Sequence, residues 1–304
     1  MARRKKGRAV SGWVALDKPA GLTSTRALSE VKRLFDAAKA GHAGTLDPLA
    51  SGILPIALGD ATKAVPFVMD SRKVYRFTVR WGVETDTDDS EGKPTASSDV
   101  RPTRERLIAA LANFTGEIMQ TPPAYSAIKI DGERAYDLAR DGAPAEMEPR
   151  PVTIHRLALL SLPDADHAVL EAECGKGTYV RALARDLGRA LGTFGHVSEL
   201  RRLAVGPFDE DAAATLEELR EAAADGADAC DAFLRPIDFV LGGITAVRVG
   251  DSAAQRIARG QSVLIRGADV PPAGPAYAVA AGRTIAIGEV EGGEFHPRRV
   301  FTGG

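Results

Sequence analysis

Cysteine is nearly missing from this chain of 304 residues: Cys174 and Cys230 are the only two. Two thiols cannot make a disulfide framework, and these are not spaced as metal ligands. Long apolar runs are missing too. Gly, Pro or a charged residue interrupts each one short of about 18 residues, so no transmembrane helix is expected. The five histidines (His42, His155, His167, His196 and His296) are dispersed with no H-E-x-x-H pair, so no metal site is expected. There is no G-x-x-x-x-G-K-[ST] and no G-x-S-x-G, which argues against a P-loop and against an α/β-hydrolase. "GHAG" at Gly41–Gly44 is too short and wrongly spaced for a dinucleotide fingerprint. The chemistry is therefore expected to run on carboxylate, tyrosine and arginine without a cofactor. The basic start "MARRKKGRAVSGW" lacks an apolar core for a signal peptide, and a cytoplasmic enzyme or binding protein is expected.

What is present is a hydrophobic fraction of 44%, enough to bury a large core and to make two domains. Net charge is 39 − 41 = −2, but the charge is partitioned. Five of the first eight residues are Arg or Lys. Residues 172–206 hold six basic residues against three acidic, and residues 207–232 hold nine acids and one Arg. Such segregation suits a basic face for phosphates, and equally a set of solvated surface faces.

Periodicity gives a coarse map. Residues 13–16 read as a strand, and Leu28, Val31, Leu34 and Phe35 share a helical stripe. "GDATKAVPFVMD" reads as a helix that Pro66 starts or bends. "KVYRFTVRWG" alternates as a half-buried strand, with Tyr75, Phe77, Val79 and Trp81 on one face. "ETDTDDSEGKP" reads as an acidic turn. "HAVLEAECGKGTYVRALARDLG" is strand, glycine turn and helix. On that helix Val180, Leu183, Ala184 and Leu187 form one stripe, and Arg181, Arg185 and Arg189 form another on a different side. From about Ile244 onward the chain reads as a small β-rich module.

The stretch "GHAGTLDPLASGILPIALG" places one carboxylate, Asp47, among glycines and aliphatics. Asp followed by Pro48 is a local signature of a helix start, with Asp as N-cap. A capping carboxylate is also geometrically fixed and kept ionised by backbone N–H groups, which suits a catalytic acid.

This stretch resembles the signature segment of the TruB family of tRNA pseudouridine-55 synthases. So do "LDKPAGLTS", "KVYRFTVRWGVETDTDDSEG", "QTPPAYSAIKIDGERAYDLAR", "CGKGTYVRALARDLG" and "HVSELRRLAVGPF", in the family's order, over roughly residues 12–208. The tail "AYAVAAGRTIAIGEVEGGEFHPRRVF" looks like the family's C-terminal PUA-type module. The resemblance implies an α/β (α+β) fold: a mixed, mostly antiparallel pseudouridine synthase sheet with a small PUA-like domain after it. The implied organisation is a basic N-terminus over residues 1–9, a catalytic domain over 10–240 with an RNA-clasping insertion over about 120–153, and an RNA-binding module over 245–304.

By the same resemblance Asp47 falls on the catalytic aspartate, Tyr75 on the active-site tyrosine, and Arg181 on the arginine that pairs with the aspartate. His42 matches the residue that fills the space left by the flipped uridine, and Tyr179 and Leu200 match positions against the target nucleotide. Lys18, Lys129, Arg150, Lys176, Arg201 and Arg202 are implied to hold the T-arm backbone. Read alone, Tyr75 and Leu200 also suit a plain core, His42 a loop hydrogen bond, and Arg181 a helix surface.

The implied reaction is isomerisation of uridine-55 to pseudouridine. It needs no metal or cofactor. The partner is the tRNA T-arm, with no membrane, and the chain is expected to be a monomer. Three actions stay open for Asp47: attack on C1′, addition to the base, or removal of the C2′ proton. A non-catalytic tRNA-binding or folding protein, or a synthase for another RNA, would use the same scaffold.

Overall fold

The structure, a computed structural model, describes residues 7–126, 128–130, 133–140, 147–265 and 273–302. It opens with β1 (Gly12–Lys18), α1 (Ser24–Leu34), β2 (Ala40–His42) and β3 (Ser51–Leu58). A 3₁₀ helix (Gly59–Ala64) runs into α2 (Val65–Met69), whose first turn holds Pro66. Next come β4 (Lys73–Trp81), β5 (Val83–Thr85), β6 (Pro94–Ser97), α3 (Arg104–Leu111) and β7 (Gly116–Gln120). β8 (Lys129–Ile130), β9 (Glu133–Arg134) and α4 (Ala135–Arg140) lie in the segment that follows. The body is completed by β10 (Arg150–Ser161), β11 (His167–Cys174), α5 (Val180–Ala190), β12 (Gly195–Val205), β13 (Ala214–Thr215) and α6 (Leu216–Ala224). The C-terminal part is β14 (Thr245–Arg248), α7 (Asp251–Ala258), β15 (Val263–Leu264), β16 (Gly274–Ala280), β17 (Arg283–Glu291) and β18 (Glu294–Val300).

Among the described residues, nine strands make one mixed sheet in the order β13-β1-β3-β12-β4-β11-β10-β7, with β2 added on β3. The β1–β13 and β3–β12 pairs are parallel and the others antiparallel. α1 buries Ala27, Val31 and Leu34 against this sheet, and its N-cap Thr23 accepts a hydrogen bond from the Arg26 N–H. β4 keeps the alternation expected of it, with Phe77, Val79 and Trp81 buried and Arg76 and Arg80 exposed.

Two expectations fail, each for a physical reason. Asp47-Pro48 starts no helix. The Ala50 N–H donates to the Asp47 carbonyl at 3.1 Å, closing a turn that leads straight into β3. β3 has no alternation because nearly all of it is buried on both faces, so its pattern looks like undifferentiated core. Gly52 permits its crossing with β12: it has φ +100°, and a Cβ there would lie 2.1 Å from the Arg202 carbonyl oxygen. The second failure is on α5. Arg181 and Arg185 are buried along with its apolar stripe, and of the three arginines only Arg189 is exposed.

The second sheet, β14-β16-β17-β18-β15, packs on the first through a shared apolar cluster. Ile287 and Phe301 from the C-terminal part meet Trp13, Ile53, Val68 and Phe208 there. The Lys63 ammonium donates to the Val300 carbonyl at 2.7 Å, and the Thr302 N–H donates to Asp60 Oδ2 at 2.6 Å. Phe301 is thus a buried plug between the two sheets. Phe301→Ala is expected to lower the unfolding free energy by about 3–5 kcal/mol. Chemical denaturation checks this, and a loss under about 1 kcal/mol would mean that the two sheets unfold independently.

Candidate active site

Asp47 lies in a loop with anchors on every side. The Leu46 N–H donates to Ser24 Oγ, and Ser24 Oγ is also 2.8 Å from the Leu46 carbonyl. The Gly21 N–H donates to the Pro48 carbonyl at 2.7 Å. Arg202 reaches up from β12, donating to the carbonyls of Ile53 (2.7 Å), Thr45 (3.3 Å) and Gly44 (3.2 Å). The carboxylate is held from the backbone while its side chain stays 37% exposed, so it is open to a substrate.

Arg181 Nε sits 2.9 Å from Asp47 Oδ2, and the arginine side chain is only 6% exposed. The rest of its guanidinium is occupied. Nη1 donates to the Thr87 carbonyl at 2.7 Å, and Nη2 to the Tyr125 carbonyl at 2.9 Å. Nη1 also lies 3.5 Å from Asp89 Oδ2. Asp89 is in turn held by the Thr87 hydroxyl (2.6 Å) and the Glu91 N–H (3.0 Å). Burial raises the Asp89 carboxyl above its usual range, against the pull of Thr87 and Arg181.

Around this pair the Tyr75 phenol is pushed up by burial, opposed by the neighbouring Arg202, so it is protonated at neutral pH. Tyr179, just before α5, is also raised by burial. Its backbone is fixed by Gln120, whose Oε1 accepts from the Tyr179 N–H (2.8 Å) and whose Nε2 donates to the Tyr179 carbonyl (3.1 Å). His42, at the end of β2, is lowered by burial and then by Arg202, which leaves it neutral at neutral pH. Its Nδ1 has no hydrogen-bond partner among the described residues. Leu200 is buried on β12 opposite Phe77. Tyr75, Tyr179 and Lys18 all lie near enough to Asp47 to feel its charge.

Residues 32–180 match the model of the TruB family pseudouridylate synthase N-terminal domain, and residues 181–242 match that of the tRNA pseudouridylate synthase B C-terminal domain. A protein named tRNA pseudouridine synthase B from Bradyrhizobium diazoefficiens is 59% identical over 98% of this chain and 88% of its own length. One of the same name from Agrobacterium fabrum is 57% identical, covering 98% and 97%. The chain belongs to the TruB family of pseudouridylate synthases. A chain of a crystallised Cbf5–Nop10–Gar1 complex shares the fold with a TM-score of 0.73 at 25% identity, over 96% of this chain and 85% of that one.

Not every basic residue expected on the RNA path of a TruB protein lies on a surface. Arg202 is 1% exposed, and it donates to backbone carbonyls of the Asp47 loop and β3. Lys18 is fully buried and caps the Pro19 and Leu22 carbonyls at 2.8 and 2.7 Å. Burial lowers its ammonium to about 8, with Asp47 pulling the other way. In this structure both side chains are spent on internal carbonyls. Arg201, 32% exposed, is drawn between Asp17 and Glu210. Lys176 is exposed but lies 2.9 Å from Asp70. The Lys129 side chain lies outside the described residues, as do residues 1–6 of the basic N-terminus.

Sequence reasoning missed Ser24, Gln120 and Asp89 as supports, because each acts through a segment distant in the chain. Replacing Arg202 with Met should leave buried carbonyls unpaired and lower stability by roughly 1–3 kcal/mol for each one that water cannot reach. The slope of log RNA affinity against log salt should stay unchanged. A shallower slope would return Arg202 to a phosphate contact.

Proposed function

We propose that this chain isomerises uridine-55 in the T-loop of tRNA to pseudouridine, with Asp47 as the catalytic carboxylate. The observation that carries this reading is the 2.9 Å contact between buried Arg181 and half-exposed Asp47 in a TruB-family chain. Relatives named for tRNA at 57–59% identity favour tRNA over another RNA.

The reaction breaks the bond from ribose C1′ to uracil N1 and forms one from C1′ to C5. The proton on C5 is lost and N1 ends protonated, so no atom or electron is gained. Turning the base out of its loop costs on the order of a few kcal/mol. His42, neutral and with an Nδ1 unmet among the described residues, is suited to fill the space the base leaves. Leu200 and Tyr179 bound the nucleotide's seat. As uracil departs, positive character grows at the ribose. A carboxylate fixed by a charge-assisted bond from Arg181 meets that charge without first reorganising water. The same carboxylate is placed for any of three actions: attack on C1′, addition to the base, or removal of the C2′ proton. Leu46, Leu54 and Leu200 are buried around the site and limit water at C1′. The Tyr75 phenol, raised further by burial, offers a stacking ring and a proton position near C5 or C2′.

In this reading residues 10–240 carry catalysis, the insertion over about 120–153 clasps the stem-loop, and the PUA-like part over 245–304 meets the rest of the tRNA. Lys176 and Arg150 remain the accessible cations for the T-arm backbone. The enzyme acts as a cytoplasmic monomer. Among the described residues no helix is long and apolar enough to cross a membrane.

Incubation with unmodified tRNA followed by mapping of pseudouridine by position tests the proposal. The product is expected at position 55, and its appearance elsewhere would redirect the substrate assignment. Asp47→Asn keeps the turn geometry and should preserve tRNA binding while abolishing product; near wild-type turnover would remove Asp47 from the chemistry. For Arg181→Lys, which cannot copy the planar fork, single-turnover rates at saturating enzyme should fall roughly a hundredfold. A normal rate with weakened affinity would make Arg181 a binding residue only.

A further inference from the structure

One turn along α5 from Arg181, a second buried arginine repeats its pattern of contacts. Arg185 Nη1 lies 2.9 Å from Asp88 Oδ2, and Nη2 donates to the Thr121 carbonyl at 2.7 Å. Its Nε donates to Asp186 Oδ1 at 2.8 Å. The Arg185 and Asp88 side chains are 9% and 8% exposed. Residues four apart on a helix share a face, so the two arginines point at the same two segments. Arg181 takes the Thr87 carbonyl and Arg185 takes the neighbouring Asp88. Arg181 takes the Tyr125 carbonyl and Arg185 takes Thr121, at the start of the same stretch.

The loop that carries Asp88 is itself strained and fastened. Asp88 has φ +60°, a left-handed conformation that Asp and Asn tolerate better than most residues. Its carbonyl accepts from the Val197 N–H of β12 at 3.0 Å. The site proposed above does not use this second pair, yet every partner that aims Arg181 sits on a segment the pair holds.

We propose that Asp88 and Arg185 form a positioning pair for the reaction, clamping the 86–89 loop and the 121–125 segment so that Arg181 stays aimed at Asp47. The proposal rests on the assignment of Asp47 and Arg181 made under Proposed function. Neither Asp88 nor Arg185 touches substrate in this account; both act through Thr87, Tyr125 and Arg181.

The groups facing Asp88 are Arg185, Arg181 and Asp186 from α5 and Glu84 from β5, with Glu84 itself paired to Arg189. Burial outweighs the two arginines and raises the Asp88 carboxyl to about 6. The clamp is therefore fully charged only above about pH 6. The effect on stability has the opposite sign. A carboxyl raised above its unfolded value favours the folded state in acid and loses that contribution as pH rises through about 6. An uncharged isostere at Asp88 removes the burial penalty while weakening the clamp.

The test compares wild-type protein with Asp88→Asn and Arg185→Lys in single-turnover pseudouridine formation on unmodified tRNA from pH 5 to 8, with tRNA affinity and thermal midpoints measured alongside. Wild type is expected to lose rate below about pH 6. Asp88→Asn is expected to be about ten- to a hundredfold slower at pH 7.5, with affinity and midpoint unchanged or the midpoint raised, and with the acid limb flattened. Arg185→Lys should be slowed similarly, because it cannot reach Asp88 and Thr121 together. A wild-type rate and acid limb in Asp88→Asn would overturn the proposal. So would a rate loss matched by an equal loss of affinity or a fall in midpoint, which marks a merely structural pair. If wild type forms no pseudouridine, the reading of the site fails before the pair is examined.

Discussion

A guanidinium buried inside a protein must be met on all sides, because an unmet charge there costs several kcal/mol. Arg181 sets that demand, and much of the architecture answers it. Asp47 takes one edge, the Thr87 and Tyr125 carbonyls take the other donors, and Asp89 stands behind. These partners come from three separate stretches of chain, around residues 47, 87–89 and 125. Each must be carried to the same point by the sheet and by α5. The geometry that keeps the carboxylate in place is therefore a by-product of satisfying a buried cation. The low-dielectric surroundings that make the arginine demanding also make its hold on Asp47 strong.

The interior beneath the Asp47 loop is electropositive in an unusual way. Lys18, Lys73 and Arg202 are all buried, and each donates to backbone carbonyls. Carbonyl dipoles satisfy donors without cancelling formal charge. The result is a field that draws a carboxylate and an electron-rich departing base toward the same place. A net charge of −2 conceals this, because the compensating acids lie on the surface, many between residues 207 and 232.

Much of the site was legible because its members stand out locally. Asp47 is a lone acid among aliphatics, Tyr75 heads a clean alternation, and Arg181 recurs at helical spacing. What stayed illegible follows one physical rule: whether a charged side chain is inside depends on carbonyls supplied from elsewhere. Arg201 and Arg202 are neighbours in sequence and look equivalent, yet one meets carboxylates near the surface and the other is sealed inside. β3 escaped because a strand covered on both faces has no period. Asp88 and Asp89 read as an acidic turn, since nothing nearby says that two arginines on a distant helix will cover them. The nine-stranded sheet and the β-rich C-terminal part were legible as classes, but their strand order was not, because pairing between remote strands leaves no local mark.

That strand order has a temporal meaning. Among the described residues, β13, β1 and β3 stand on one side of β12, and β4, β11, β10 and β7 on the other, so β12 joins the two. Asp47 rides with the first group, and Tyr75 with the second. On the ribosome β1 can pair with β3, and β4, β11, β10 and β7 with one another, each group with an open edge, before β12 and then β13 have been synthesised. Until then the nascent chain presents two unpaired sheet margins, the kind of surface that recruits holding chaperones or associates wrongly. Insertion of one strand closes both margins and brings the halves of the reaction centre together. A chain truncated before β12 carries the aspartate and the tyrosine and can never oppose them.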